Sequence, residues 1–230
     1  MRLEDIEKSL SDVRLFKELS SDELAPIVEI AQSRFYKHKM YVFMQDDPLD
    51  RVFFIQSGKV KIYKTDFTGK EQIVSVLEPG ELFPHAGFFR KGKYPAYAEV
   101  MEDANLIVIP IDKFEEILIS NPELCIKLFK VLGEKIIDLQ ARLEAQVLHN
   151  TFEQIILLLM RLCKTNGEKI GSKYKLTTQF TNRELANMIG TSRETVSRTI
   201  NQLKKKKHIL QGEMGEYYID RESLQSELFI

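Results

Sequence analysis

The chain has 230 residues, of which 43% are hydrophobic and 29% charged, with a formal net charge of −1. That length suits two domains of ordinary globular composition, and the near-neutral total excludes a uniformly basic nucleic-acid binder. The charge is unevenly spread: Lys164 to Gly212 holds eleven basic and three acidic residues, a net +8 that leaves −9 for the remainder. A basic segment on an acidic chain is the footprint of a phosphate-binding surface or of a solvated lysine-rich face.

The first ten residues, MRLEDIEKSL, have no apolar core of signal-peptide type. The longest apolar run, Ile155 to Met160, is too short to span a membrane. A cytoplasmic protein with no membrane partner is expected. Cys125 and Cys163 form no Cys-x-x-Cys pair, and a structural zinc site or an all-cysteine iron–sulfur cluster needs about four ligands. Both lie in apolar helical stretches and read as small buried hydrophobes. No metal and no cofactor are expected.

Along the chain, Ser21 to Ala31 has the polar start and apolar spacing of a short helix. From Phe35 to Ile111 the pattern changes to short β-type runs: Arg51–Gln56, Val60–Tyr63, Gln72–Leu77 and Leu106–Ile111. Ser57-Gly58, Thr68-Gly69 and Pro79-Gly80 separate or follow them. Short strands at this spacing predict an all-β barrel or roll.

Asn121-Pro122 then opens a long helix, with asparagine suited to the N-cap and proline to the first helical position. Cys125, Phe129, Leu132, Ile136, Leu139 and Leu143 follow at spacings of 4, 3, 4, 3 and 4, the pattern of a coiled-coil seam. Some 25 residues of helix would run roughly 38 Å. Phe129, Leu132, Ile136, Leu139 and Leu143 are therefore the expected dimer seam, with a second copy of the chain as partner. Leu124, Leu128 and Val131 offer a second apolar face, and docking on the β-domain alone is the alternative. The helix is expected to break around His149–Thr151, where Thr151-Phe152-Glu153-Gln154 has capping-box form and restarts a helix through Leu162. Asn166-Gly167 marks a turn. The expected division is a β-roll over 1–120, a dimer helix over 121–149 and a DNA-binding domain over 150–230.

Thr181-Asn182-Arg183-Glu184 is a capping box, in which the threonine hydroxyl meets the Glu184 amide and the Glu184 carboxylate returns to the Thr181 amide. Leu185, Met188 and Ile189 share one face, and Ala186 is small enough to let a second helix approach. Gly190, four residues later, can take the positive φ of a tight turn. Thr191 or Ser192 then caps a second helix that buries Val196, Ile200 and Leu203. This is helix-turn-helix spacing; a helical hairpin without DNA chemistry is the alternative.

The second helix leaves Arg193, Glu194, Ser197 and Arg198 off the Val196 face. Arginine can donate two hydrogen bonds to guanine, and glutamate can accept one from the cytosine amino group. Arg193, Glu194, Ser197 and Arg198 are the expected base contacts. Thr181, Asn182, Ser192, Thr195, Lys204 and Lys205 are the expected phosphate contacts. Glu194 could instead pair with Arg198 one turn on. Ile209-Leu210 and Tyr217-Tyr218-Ile219, split by Gly212-Glu213-Met214-Gly215, predict a β-hairpin wing. The lysine run Lys204 to Lys207 at its entry would add salt-sensitive affinity.

In this order of parts the chain resembles the cyclic-AMP receptor protein/FNR (Crp/Fnr) family of bacterial transcription regulators. The most specific stretch is Thr191-Ser192-Arg193-Glu194-Thr195-Val196-Ser197-Arg198, which is similar to the family's recognition helix. The resemblance implies an α+β fold: an N-terminal double-stranded β-helix (a jelly-roll like that of cyclic-nucleotide-binding domains), a long dimerisation helix and a C-terminal winged helix-turn-helix. It also implies base contact by Arg193, Glu194 and Arg198, with Ser197 as in the FNR branch. A homodimer on a palindrome of TGTGA-like or TTGAT-like half-sites follows, with RNA polymerase as a further partner, as activator or repressor. The family's phosphate cassette ends in Arg-Ser or Arg-Thr before alanine; here Pro84-His85 stand for its Gly-Glu and Tyr94-Pro95 for its Arg-Ser. That departure puts cyclic-nucleotide binding in doubt, and the roll either senses an unidentified signal or acts without a ligand. The FNR-type cluster lacks its N-terminal cysteines. Phe83-Pro84 resembles a Gram-positive arginine-catabolism branch, and His85 among apolar residues reads as structural before it reads as a haem ligand.

Two other readings compete: a cyclic-nucleotide-responsive regulator of the same fold, and a ligand receptor whose helical tail binds protein. No nucleophile–base pair, phosphate loop or metal cluster appears in motif form, so no catalytic residue and no enzyme activity are expected.

Overall fold

A computed structural model describes residues 3–13, 15–17 and 19–229. In chain order the elements are α1 (Leu3–Ser11), α2 (Ser21–Ile30), β1 (Gln32–Tyr36), β2 (Tyr41–Phe43), β3 (Arg51–Thr65), β4 (Glu71–Leu77), β5 (Leu82–Phe83) and β6 (Tyr97–Pro110). There follow α3 (Ile111–Ser120), α4 (Pro122–Leu148), α5 (Thr151–Thr165), β7 (Gly167–Ile170), β8 (Lys173–Leu176), α6 (Asn182–Ile189) and α7 (Arg193–Lys205). The chain closes with β9 (Ile209–Gln211), β10 (Tyr217–Ile219), α8 (Arg221–Ser226) and a 3-10 turn (Glu227–Phe229). Contacts divide it into two compact units, residues 1–70 with 74–137 and residues 71–73 with 138–230.

In the first unit the sheet runs β1-β6-β3-β4, with β2 also on β6 and β5 on β3. The period of two along β3 sorts its side chains between two cores. Phe53 and Ile55 point into the roll with Phe43, Phe83, Tyr94 and Leu106. Val52 and Phe54 face the helices, where they meet Phe16, Leu24, Ile27, Phe114, Leu124 and Leu128. Phe54 packs against Phe16 at 5.0 Å and edge-on to Phe114 at 5.7 Å. Leu124 and Leu128, on the second apolar face of α4, are thus the side on which the roll rests.

Arg51–Gln56 and Val60–Tyr63 are one strand, where a break at Ser57-Gly58 was expected. The turn signal is instead a bulge: the register against β6 shifts on both sides of Ser57. Gly58 has φ +81°, and a Cβ there would lie 2.3 Å from the Asp103 carbonyl oxygen. Gly58→Ala is therefore expected to destabilise the roll by about 1–3 kcal/mol from backbone strain alone. The check is a lower urea midpoint at unchanged slope. Leu106–Ile111 also divides differently: β6 ends at Pro110, and Ile111 starts α3.

α4 begins as its sequence dictates, with Asn121 Oδ1 accepting the Leu124 amide at 3.0 Å. Its restart into α5 uses a different cap from the one expected. Asn150, not Thr151, is the N-cap: its side chain accepts the Glu153 amide, and the Glu153 carboxylate accepts the Asn150 amide. Asparagine is at least as good an N-cap as threonine, and this register also lets Glu153 reach His149 at 2.9 Å.

The second unit packs α5, α6 and α7 around Ile155, Leu159, Leu162, Leu185, Ala186, Val196, Ile200 and Leu203, all buried. A four-stranded sheet, β7-β8-β10-β9, closes it. The β7–β8 hairpin lies where only a turn at Asn166-Gly167 was expected. Its signal was present in Gly171-Ser172 between two strand-like runs. Among the described residues no helix is long and apolar enough to cross a membrane.

Candidate nucleic-acid interface

The geometry of α6 and α7 is set by three local devices. Thr181 caps α6: its Oγ1 accepts the Glu184 amide at 3.2 Å, while Glu184 Oε2 accepts the Thr181 amide at 2.8 Å. Gly190 ends α6 in the left-handed region at φ +75°, its amide donating to the Ala186 carbonyl. Ser192 caps α7, its Oγ accepting the Thr195 amide at 3.1 Å. The two helices pack on each other, with Ala186 and Val196 buried at 2% and 0% exposed.

With Val196, Thr199, Ile200 and Leu203 turned inward, the opposite face of α7 is open. Arg193, Glu194 and Arg198 are exposed, and Ser197 is half-buried beside them. The Glu194 carboxyl is held below the usual range, first by its own amide at the helix N-terminus and then by the Ser192 hydroxyl; Arg193 and Arg198 add smaller pulls against a slight burial penalty. Glu194 thus stands as an anion at the end of α7, flanked by two guanidinium groups. The Arg198 guanidinium reaches Thr195 Oγ1 at 3.4 Å, which pre-orients it along the helix.

The expected phosphate contacts fall into two groups. Thr181, Ser192 and Thr195 have hydroxyls engaged in capping or in each other: Thr181 Oγ1 donates to Glu184, and Ser192 Oγ lies 3.0 Å from Thr195 Oγ1. Asn182 is half-buried at the first position of α6, and Lys205 is exposed. Lys204 does something its sequence position did not reveal. Its Nζ donates to Gln211 Oε1 at 2.6 Å and lies 4.9 Å from the Tyr217 ring centroid, bracing the wing strands β9 and β10 against α7. Lys206 pairs with Glu227 at 2.7 Å, which also meets His208 at 2.9 Å.

On α4 most of the residues expected to form a seam are left uncovered by the described residues. Phe129 and Leu143 are each 66% exposed, Ile136 56% and Leu139 53%, while Leu132 is partly buried at the edge of the roll core. Ile126 and Val147 extend the open stripe in both directions.

Inside the roll, the Tyr94 ring stacks on Phe43 at 3.8 Å and 7°. Its hydroxyl lies 3.3 Å from Asp50 Oδ1 and 3.1 Å from the Arg51 carbonyl oxygen. Burial, reinforced by the Asp50 charge, raises that phenol far above its usual value. His85 is brought down to about 3 by burial and, second, by the Lys135 ammonium. The unfolded chain takes up this proton near pH 6.5 and the folded one only near 3, so stability falls as pH drops through that window. His85→Gln is expected to flatten the slope of unfolding free energy against pH there, by at most about 1.4 kcal/mol per pH unit. Urea titrations across the window measure it.

A roll joined to a winged helix-turn-helix with an open Arg-Glu-Arg face defines a two-domain, DNA-binding transcription regulator. The family model described as "Cyclic nucleotide-binding domain" matches residues 33–121, and that described as "Crp-like helix-turn-helix domain" matches residues 153–227. The chain belongs to the Crp/Fnr family, whose members are transcription regulators rather than enzymes. It is similar to the global nitrogen regulator of a Nostoc species, 24% identical over 88% of this chain and 89% of that protein. It is also similar to the anaerobic regulatory protein of Bacillus subtilis, 26% identical over 91% of this chain and 89% of that protein. Among solved structures, a CooA mutant from Carboxydothermus hydrogenoformans has a TM-score of 0.77 at 24% identity, covering 94% of this chain and 95% of that one. FixK2 from Bradyrhizobium japonicum has a TM-score of 0.75 at 18% identity, covering 86% of this chain and 96% of that one. These two likenesses establish the fold.

Proposed function

We propose that the chain acts as a homodimer that reads a palindromic TGTGA-like or TTGAT-like operator through the major groove. One observation carries this reading: α7 buries Val196, Ile200 and Leu203 and leaves Arg193, Glu194 and Arg198 open at the end of a capped helix. Arg193, Glu194, Ser197 and Arg198 contact bases. Thr181, Asn182, Ser192, Thr195, Lys204 and Lys205 line the phosphate path, with Lys205 exposed and Lys204 acting through the wing.

The uncovered stripe Phe129, Ile136, Leu139 and Leu143, with Leu132 beside it, fits a second copy of the chain. Its 4-3 spacing is that of knobs packing into holes, and two-fold symmetry in the protein matches two-fold symmetry in the operator. In function the chain divides into a roll over 1–120, a dimer helix over 121–149 and a DNA-reading domain over 150–230. Such a regulator works in the cytoplasm on DNA and meets RNA polymerase there.

The roll acts without a cyclic nucleotide. Two of the curated relatives are named as cAMP-activated regulators of Mycobacterium tuberculosis. In this chain Tyr94, with Phe43 stacked on it, takes the place of an arginine that would neutralise the cyclic phosphate.

Fluorescence anisotropy on a TTGAT-type palindrome tests both parts. The full chain is expected to bind the palindrome roughly 10²–10⁴-fold more tightly than a duplex with one half-site scrambled. Adding cyclic AMP or cyclic GMP is expected to leave that affinity unchanged. Equal affinity for the two duplexes would sink the operator reading, and a nucleotide-dependent gain would sink the reading of a roll that works without a cyclic nucleotide.

A further inference from the structure

Between α4 and α5 lies a cluster of three charges that neither base reading nor the seam uses. Asp138 on α4 is ion-paired with Arg142 one turn along the same helix. Arg161 Nη1, on α5, lies 3.9 Å from the same Asp138 oxygen. The three side chains are 26%, 28% and 20% exposed, so two guanidinium groups meet the same carboxylate in a partly buried place. Burial first, and the Arg142 charge second, hold Arg161 down to about 10, with Asp138 pulling the other way. Asp138 meets both arginines and so offsets part of the repulsion between their like charges.

The position of this cluster gives it leverage. α4 and α5 are joined at His149-Asn150, where capping breaks the helix. Asp138 and Arg161 each lie about 17 Å from that joint along their helices, at 1.5 Å per residue. A rotation of about 10° at the joint would separate them by about 3 Å, enough to break the ion pair. Contacts at the joint itself, such as Glu153 with His149, move far less under the same rotation. α5 in turn packs on α6 and α7, so what holds α5 also holds the recognition helix.

We infer that Asp138 is a positioning residue: by tying Arg161 to the C-terminal half of α4 it sets the distance between the two recognition helices of a dimer. The inference rests on the palindrome reading above, and it assigns to Asp138 the spacing between half-sites rather than their sequence.

The test is binding selection by the full chain from duplexes carrying two fixed half-sites separated by spacers of every length from short to long. Wild type is expected to prefer one spacer. Asp138→Ala is expected to reduce that preference by tenfold or more, while each half-site keeps its sequence preference and the protein keeps its dimer mass by light scattering. Arg161→Leu keeps the Asp138–Arg142 ion pair within α4, and it is expected to show the same loss. Asp138→Glu should restore most of the preference. A wild-type spacer profile in Arg161→Leu overturns the inference, as does a loss of half-site sequence preference in step with spacer preference. If the wild-type chain itself selects no pair of half-sites, the palindrome reading fails and this inference goes with it; a paired preference indifferent to both variants overturns this inference alone.

Discussion

Arg198→Ala is expected to lose about 1–3 kcal/mol of discrimination at one operator position, the size of a good bidentate arginine–guanine contact. That is roughly a 5- to 150-fold drop in preference for the right base. Arg198 is exposed on the face of α7 opposite Val196, and its guanidinium is steered along the helix by Thr195 rather than folded away. Glu194→Ala is expected to relax a neighbouring position while raising affinity for unrelated DNA, because it removes an anion that phosphates repel. Competition anisotropy against single-base operator variants separates the two effects. An equal loss on every sequence would reduce Arg198 to a phosphate contact.

The second large effect is expected at the seam. Leu139→Glu combined with Leu143→Glu places two carboxylates on the open stripe of α4, at positions 53% and 66% exposed in the single chain. The folded chain has little to lose there, since neither side chain belongs to its cores. A dimer would have to bury four charges without partners, which is prohibitive. The mass by light scattering is expected to fall from twice 26.7 kDa to 26.7 kDa. Operator affinity should fall with it by roughly 10²–10⁴-fold, the advantage of linking two half-site contacts. A double variant that stays dimeric would place the interface on another surface.

How much of this was legible in the sequence depends on the range of the interaction that decides it. Caps are local: Thr181 with Glu184, Asn121 with Leu124 and Gly190 after Ala186 can be read within four residues, and so the helix-turn-helix could be read almost completely. The cap of α5 slipped by one residue because Asn150 and Thr151 both qualify, and the choice turns on which of them reaches Glu153. Ser57-Gly58 carries a turn's residues inside a strand, since only pairing with Asn105 and Asp103 across the sheet shows that a bulge is needed there. The wing was visible as a hairpin, but the brace between Lys204, Gln211 and Tyr217 was not, because a lysine run reads as phosphate-facing until its neighbours are known. The stack of Tyr94 on Phe43 joins residues some 50 positions apart, and only the absence of an arginine hinted at it. The open apolar stripe of α4 was written in its spacing, whereas Asp138 beside Arg161 links two helices across a break and left no periodic trace.

Two copies of this chain are proposed to read one palindrome. Selection from fully random duplex DNA by the full-length protein, followed by sequencing, tests this most directly. Enrichment of two inverted TGTGA-like or TTGAT-like half-sites is expected, with centres about 10–10.5 base pairs apart, one helical turn. Enrichment of a single unrepeated half-site, or of no sequence at all, would contradict it.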